Sequence, residues 1–156
     1  MKSILIIVAH PDDDILGCGG MIDKYIKQKS NIRVIFLAEG TTCRYTDPTS
    51  PEAVCEITER TRFGVEALNV LGVYDYHFYD LPCGRLDSVP QLELNKIIEN
   101  EIKEFKPNFI FTHWSLDANS DHRHVYNSVV TATRPIGQNV VDAVFCFEVL
   151  SSTEWS

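Results

Sequence analysis

Two short stretches hold the residues whose types and spacing could do chemistry. The first, His10-Pro11-Asp12-Asp13-Asp14, puts four titratable side chains within five positions, directly after an apolar run. Carboxylates this close repel one another, and burying them without a cation is expensive. An imidazole beside carboxylates is a ligand set for zinc or another first-row ion, which would remove that conflict. The second stretch, His113 to His124, contains three of the chain's five histidines along with Asp117, Asn119 and Asp121. If His122 opens a helix that faces the first stretch, His10, Asp13 and His122 form a two-histidine, one-carboxylate site. Three protein ligands leave a coordination position for water, which is the catalytic arrangement and not the closed structural one. Water at such an ion becomes a nucleophile near neutral pH. Asp12, beside Asp13, then stands where a general base is needed.

Blander readings compete with this one. An acidic turn can simply cap the following helix, because Asp near a helix N-terminus is favourable. That accounts for one carboxylate or two, but not for three with a histidine. A phosphate cradle is excluded, since Gly17, Gly19 and Gly20 come too late and three carboxylates repel phosphate. His113, at a strand end, suits site and structure equally, whereas His77 reads as structural and His124 as a helix surface residue.

The elements that must position these residues alternate. Ile4–Ala9 is a solid apolar run, as for a strand buried on both faces of a parallel sheet. Ile15, Gly19, Ile22 and Ile26 then recur at helical spacing, which predicts a helix from about Asp14 to Gln28. Ile32–Ala38 is a second strand, followed by a long polar loop to Pro51. Val54, Ile57, Thr61, Val65, Leu68 and Leu71 stripe a second helix, stopped by Gly72. Tyr74–Phe78 alternates in the manner of a strand nearer an edge. Leu94 to Phe105 is a third helix, ended by Pro107. Asn108–Thr112 is a fourth strand, Val125 to Ala132 marks a fourth helix, and Val140–Leu150 is β-rich. Such alternation predicts βαβ units in one domain, 1–156: a three-layer α/β/α sandwich with a mostly parallel, Rossmann-like sheet. Ligand sites in such sheets lie at the carboxyl ends of the strands. The loops His10–Asp14, Glu39–Tyr45 and His113–His122 are therefore expected to converge.

Composition narrows the classes further. The chain has 156 residues, 44% of them hydrophobic and 23% charged, with a formal net charge of -8. A nucleic-acid surface would need a basic stripe, so no nucleic-acid partner is expected. No segment approaches the roughly 20 apolar residues of a membrane span. Five scattered cysteines with no CxxC pair argue against a disulfide framework and for a reducing, cytoplasmic setting.

The pattern Ala9-His10-Pro11-Asp12-Asp13-Asp14 after the first strand, with Ser120-Asp121-His122-Arg123 opening a distant helix, resembles the LmbE/PIG-L-like zinc de-N-acetylases. Gly40–Tyr45, Leu81–Asp87, Thr112-His113 and Ser151–Ser156 extend the likeness along most of the chain. The resemblance implies a hydrolase that removes acetyl from an N-acetylglucosamine-type sugar or glycoconjugate. It implies Zn2+ (Fe2+ or Mn2+ as alternatives) on His10, Asp13 and His122, Asp12 as general base, and Asp121 as a carboxylate orienting a histidine. The chain departs from the pattern in three ways. Asp14 stands where the family usually has Glu. Asn119 stands where many members have a histidine that stabilises the tetrahedral oxyanion, which leaves Asn119 and His113 as candidates for that task. Members also usually continue beyond the length seen here, so a C-terminal segment completing core and groove is expected to be lacking. Two rivals stay open: a non-haem iron oxygenase, disfavoured by the βα pattern, and a truncated or degenerate member acting as a non-catalytic metal-binding or interaction module. The latter would favour a homo-oligomer through an exposed apolar patch.

Overall fold

The computed structural model describes residues 2–135 and 140–150, so the Ser151–Ser156 stretch lies outside the described residues. Five strands form one sheet in the order β3-β2-β1-β4-β5, with every pairing parallel. They are β1 (Ser3–Val8), β2 (Asn31–Ala38), β3 (Asp75–Leu81), β4 (Phe109–His113) and β5 (Ala143–Phe147). The helices between them are α1 (Asp13–Lys27), α2 (Pro51–Leu71), α3 (Gln91–Phe105) and α4 (Ser120–Ala132). The three-layer α/β/α expectation is met.

Strand β1 is the axis because its apolar run is buried on both faces. Ile4, Ile6 and Val8 meet Cys18 and Ile22 of α1 and Leu68 of α2. Leu5, Ile7 and Ala9 meet Leu94, Ile98 and Ile102 of α3 and Val125 and Val129 of α4. The period of two thus feeds two separate cores from one strand. Strand β3 lies at the edge, as its alternating sequence predicts, and it is only half-buried.

Boundaries shift where local chemistry overrides the apolar stripe. Helix α2 starts at Pro51, before the first striped residue, because the Ser50 side chain accepts the Ala53 N–H (3.2 Å) and proline suits the first helical turn. Val54 then points to solvent and not to the core. At its other end Gly72 takes the left-handed conformation (φ 79°) that stops a helix cheaply only when glycine supplies it. Of the β-rich stretch 140–150, only 143–147 is strand.

Chain order reverses between β1 and β4: β1 runs on to β2 and β3 on one side and pairs with β4 on the other. Both strands end at that point with a histidine, His10 just after β1 and His113 closing β4. A crevice outside such a switch point is where open α/β sheets bind ligands.

Candidate active site

The acidic run does not cap helix α1. Asp12, at the N-cap position, makes no side-chain capping bond, and its carboxylate instead accepts from the Arg60 guanidinium at 2.8 Å. Asp13 turns back to accept the His10 N–H at 2.8 Å. Both oxygens of Asp14 are buried without a hydrogen-bond partner. The backbone at Asp12 has φ 149°, a region that costs a non-glycine residue on the order of 1–3 kcal/mol. The turn is bent to present carboxylates, which is not what capping requires.

Three imidazoles surround Asp13. Its Oδ2 lies 3.3 Å from His10 Nδ1, 3.3 Å from His122 Nε2 and 3.5 Å from His113 Nε2. The far nitrogens of two of these rings are held by further carboxylates: His10 Nε2 lies 3.0 Å from Asp121 Oδ2, and His122 Nδ1 lies 3.0 Å from Asp117 Oδ2. A carboxylate on the far nitrogen fixes tautomer and ring direction, as behind metal-bound histidines. His10, Asp13 and His122 each offer a ligand atom, and these atoms all lie within 4.8 Å of one another. His122 Nε2 is buried with no hydrogen-bond partner. Two imidazole nitrogens and a carboxylate, oriented from behind and converging on one point, fit a divalent first-row ion.

Charge in the cluster follows the same geometry. Burial alone would raise the Asp13 carboxyl, but the bonds to His10 and His122 and the nearby imidazoles hold it well below the carboxylate range. Burial opposes charge on His10, yet Asp121 and Asp13 raise it well above the usual imidazole value. His122 is raised likewise, by Asp13 and Asp117 against its burial. His113 differs: burial pushes it down to about 3, so it is neutral. Asp12 is raised by burial and by Asp13, with Arg60 pulling the other way.

The remaining sequence-based candidates have defined places. Asn119 is the N-cap of α4, its Oδ1 accepting the Asp121 N–H at 2.9 Å, which turns the amide nitrogen away from the helix. His113 is wholly buried, accepts the Ala9 N–H on Nε2 at 2.9 Å, and stacks on His122 with ring centroids 3.9 Å apart. Asp121 also accepts the N–H groups of Gly84 (2.6 Å) and Leu86 (3.1 Å), so the 81–87 loop joins the site. Glu39, from the second expected loop, is buried and accepts the N–H groups of Thr41, Thr42 and Cys83.

Two arginines escaped the sequence reading. Arg60 reaches Asp12 because Gly40 (φ 80°) leaves space, since a Cβ there would lie 2.6 Å from Arg60 Nε. Arg123 donates to the carbonyls of Asp117 and Ala118 and pins the loop that holds His122. A signal for Arg60 existed in hindsight: it shares the inward face of α2 with Thr61 and Gly64 but is charged.

Comparison with known proteins now decides the family. A sequence model of PIG-L, described as GlcNAc-PI de-N-acetylase, matches residues 5–133. The chain belongs to that family. Among curated PIG-L-like relatives, the uncharacterized deacetylase YaiS of Escherichia coli K12 is 28% identical over 145 residues, covering 88% of this chain and 71% of its own. N,N'-diacetylchitobiose deacetylase from Pyrococcus horikoshii superposes with TM-score 0.70 at 21% identity, over 85% of this chain and 49% of that one. GalB, the 4-carboxy-2-hydroxymuconate hydratase of Pseudomonas putida, superposes with TM-score 0.72 at 21% identity, over 94% of this chain and 65% of that one. The PIG-L fold therefore carries more than one reaction, and the reaction must be argued from the site. The chain spans 66%, 65% and 49% of the length of three of these solved structures. Among the described residues no helix is long and apolar enough to cross a membrane.

Proposed function

We propose that this chain is the catalytic part of a zinc-dependent de-N-acetylase that removes acetyl from an N-acetylglucosamine-type sugar or glycoconjugate. The observation that carries the reading is the convergence of His10 Nδ1, His122 Nε2 and Asp13 Oδ2, with His122 Nε2 buried and unpartnered. Family membership supplies the reaction class.

His10, Asp13 and His122 would hold the ion, with Asp121 and Asp117 fixing the two rings from behind. When bound, the ion supplies Lewis acidity toward the amide carbonyl and lowers the pKa of water. Asp12 takes the proton from the attacking water and later delivers it to the departing amine. Arg60 keeps that carboxylate charged and aimed. Asn119 Nδ2, directed by the capping bond of its own Oδ1, is the donor proposed for the developing oxyanion. His113, neutral and stacked beneath His122, supports the ring and does not act as that donor. Residues 1–156 form one domain to which a C-terminal segment would add the rest of the substrate groove. The expected setting is cytoplasmic, where the cysteines stay reduced.

The test pairs elemental analysis with amine release from N-acetylglucosamine and N-acetylglucosaminides on one sample. About one zinc per chain with amine release supports the reading. No metal, even after zinc is added, would overturn the site.

A further inference from the structure

The loops beside His10 carry a feature that de-N-acetylation does not use. Cys43 lies in the 3-10 turn Thr42–Arg44 after β2, and Cys83 in the loop after β3. They are 40 positions apart in sequence, yet their sulfurs approach to 3.3 Å, both as free thiols. Cys43 is exposed, whereas Cys83 is buried. Among the described residues no other pair of thiols makes such a contact, and Cys55 and Cys146 are exposed but solitary.

The approach is fixed by the backbone and not by chance rotamers. The buried Glu39 carboxylate accepts N–H groups from both loops, Thr41 and Thr42 on one and Cys83 on the other. Gly84 (φ 69°) lets its loop lie directly on Cys43, because a Cβ there would sit 2.8 Å from the Cys43 Cβ. The same loop grips Asp121 through the Gly84 and Leu86 N–H groups, and Asp121 holds His10.

We infer that Cys43 and Cys83 form a reversible disulfide in response to hydroperoxides, latching the loop that carries Asp121's donors. The exposed Cys43 sulfur attacks the peroxide O–O bond, giving a sulfenic acid and, from hydrogen peroxide, water. The Cys83 sulfur then displaces the sulfenic hydroxyl as a second water, so that two thiols are oxidised by two electrons as one peroxide is reduced. A dithiol reductant reverses the bond. The inference concerns the thiols alone and does not depend on the deacetylase reading.

The experiment is graded hydrogen peroxide on the full chain, followed by intact mass, peptide mapping and amide exchange, with and without dithiothreitol. Expected is the loss of two hydrogens, a Cys43–Cys83 linked peptide that dithiothreitol removes, and slower exchange of the Gly84 and Leu86 amides. Cys55 in the same sample should gain oxygen and not a partner. The exposed position makes Cys43→Ser the safer variant; it should leave Cys83 a thiol under the same dose. Conversion of Cys43 to the sulfinic acid without a linked peptide overturns the pair as a disulfide site. A linked peptide with unchanged amide exchange overturns the latch.

Discussion

The chain buries two clusters of charge, and it finishes them differently. On the α3 side of β2 and β3, Glu101 accepts from Arg33 (3.0 Å), His77 Nδ1 (2.5 Å) and Tyr79 Oη (2.5 Å). Arg33 also donates to Asp75 and Glu104 and lies over the Phe105 ring. Each Glu101 oxygen has a donor, so the cluster is closed. At the carboxyl ends of β1 and β4, by contrast, His122 Nε2, His113 Nδ1 and both Asp14 oxygens are buried without a partner. Such groups cost about 1–3 kcal/mol each. Equal burial with unequal satisfaction separates a structural tie from a site. The closed cluster binds elements of this chain together, and the open one is arranged for something else.

Mutation should break that comparison cleanly. Asp12→Asn is expected to keep bound zinc and lose roughly 10²–10⁴-fold in amine release, the range for a general base. His122→Ala should lose both metal and turnover. Retained turnover in Asp12→Asn would remove Asp12 from its proposed role. At the closed cluster, Glu101→Ala should do the opposite: zinc content and turnover per folded molecule persist, while stability falls by about 3 kcal/mol because Arg33 loses a buried partner. Chemical denaturation alongside zinc analysis reads both. Equal loss of zinc in Glu101→Ala would mean that the two clusters are not independent.

Ligand addition sharpens the contrast next. Zinc at about a hundred times its Kd should add roughly 2.7 kcal/mol of stability through the open cluster. For a chain this long that is a rise in Tm of roughly 5–10 °C. Glu101→Ala should keep that increment from its lower starting point, and His122→Ala should lose it. A thermal scan with and without zinc, after removal of adventitious metal, decides the matter.

How much of this was legible follows from where each signal lives. The layers were readable because β1 is apolar at every position from Ile4 to Ala9, and an edge position was readable in β3 because its sequence alternates. The gathering of His10, Asp13 and His122 was readable because both stretches follow parallel strands. The loop 81–87 was visible only through resemblance, since its contribution is backbone N–H groups at Gly84 and Leu86, which no side-chain pattern encodes. Arg60 was hidden for a different reason: its partner Asp12 lies 48 positions away, and the space it crosses is made by Gly40. Glu101 was missed because it interrupts an apolar stripe, and only the pairing of β2 with β3 brings Arg33 and His77 to it.

The smallest expected effect is the most specific to the closed cluster. Burial by itself would raise the Glu101 carboxyl, but the bonds from Tyr79, His77 and Arg33 overcome it and lower the folded pKa. A carboxylate with a depressed folded value stabilises fully above its unfolded pKa, about 4.5. That contribution is lost as pH falls through the folded value. Glu101→Gln has no proton to take up, so it lacks this increment at every pH. The stability gap between the parent chain and Glu101→Gln should therefore be widest near neutrality and narrow below about pH 4.5, by a fraction of the roughly 3 kcal/mol expected for breaking the pair. Asp13, Asp121 and Glu39 are also depressed and steepen acid unfolding, but they do so in both chains, and the difference between the two isolates Glu101. Urea midpoints measured from pH 7 to pH 3 on zinc-free protein read it directly. A gap that stays constant across that range would show that Glu101 is held by shape and not by charge, and the closed cluster would lose its electrostatic account.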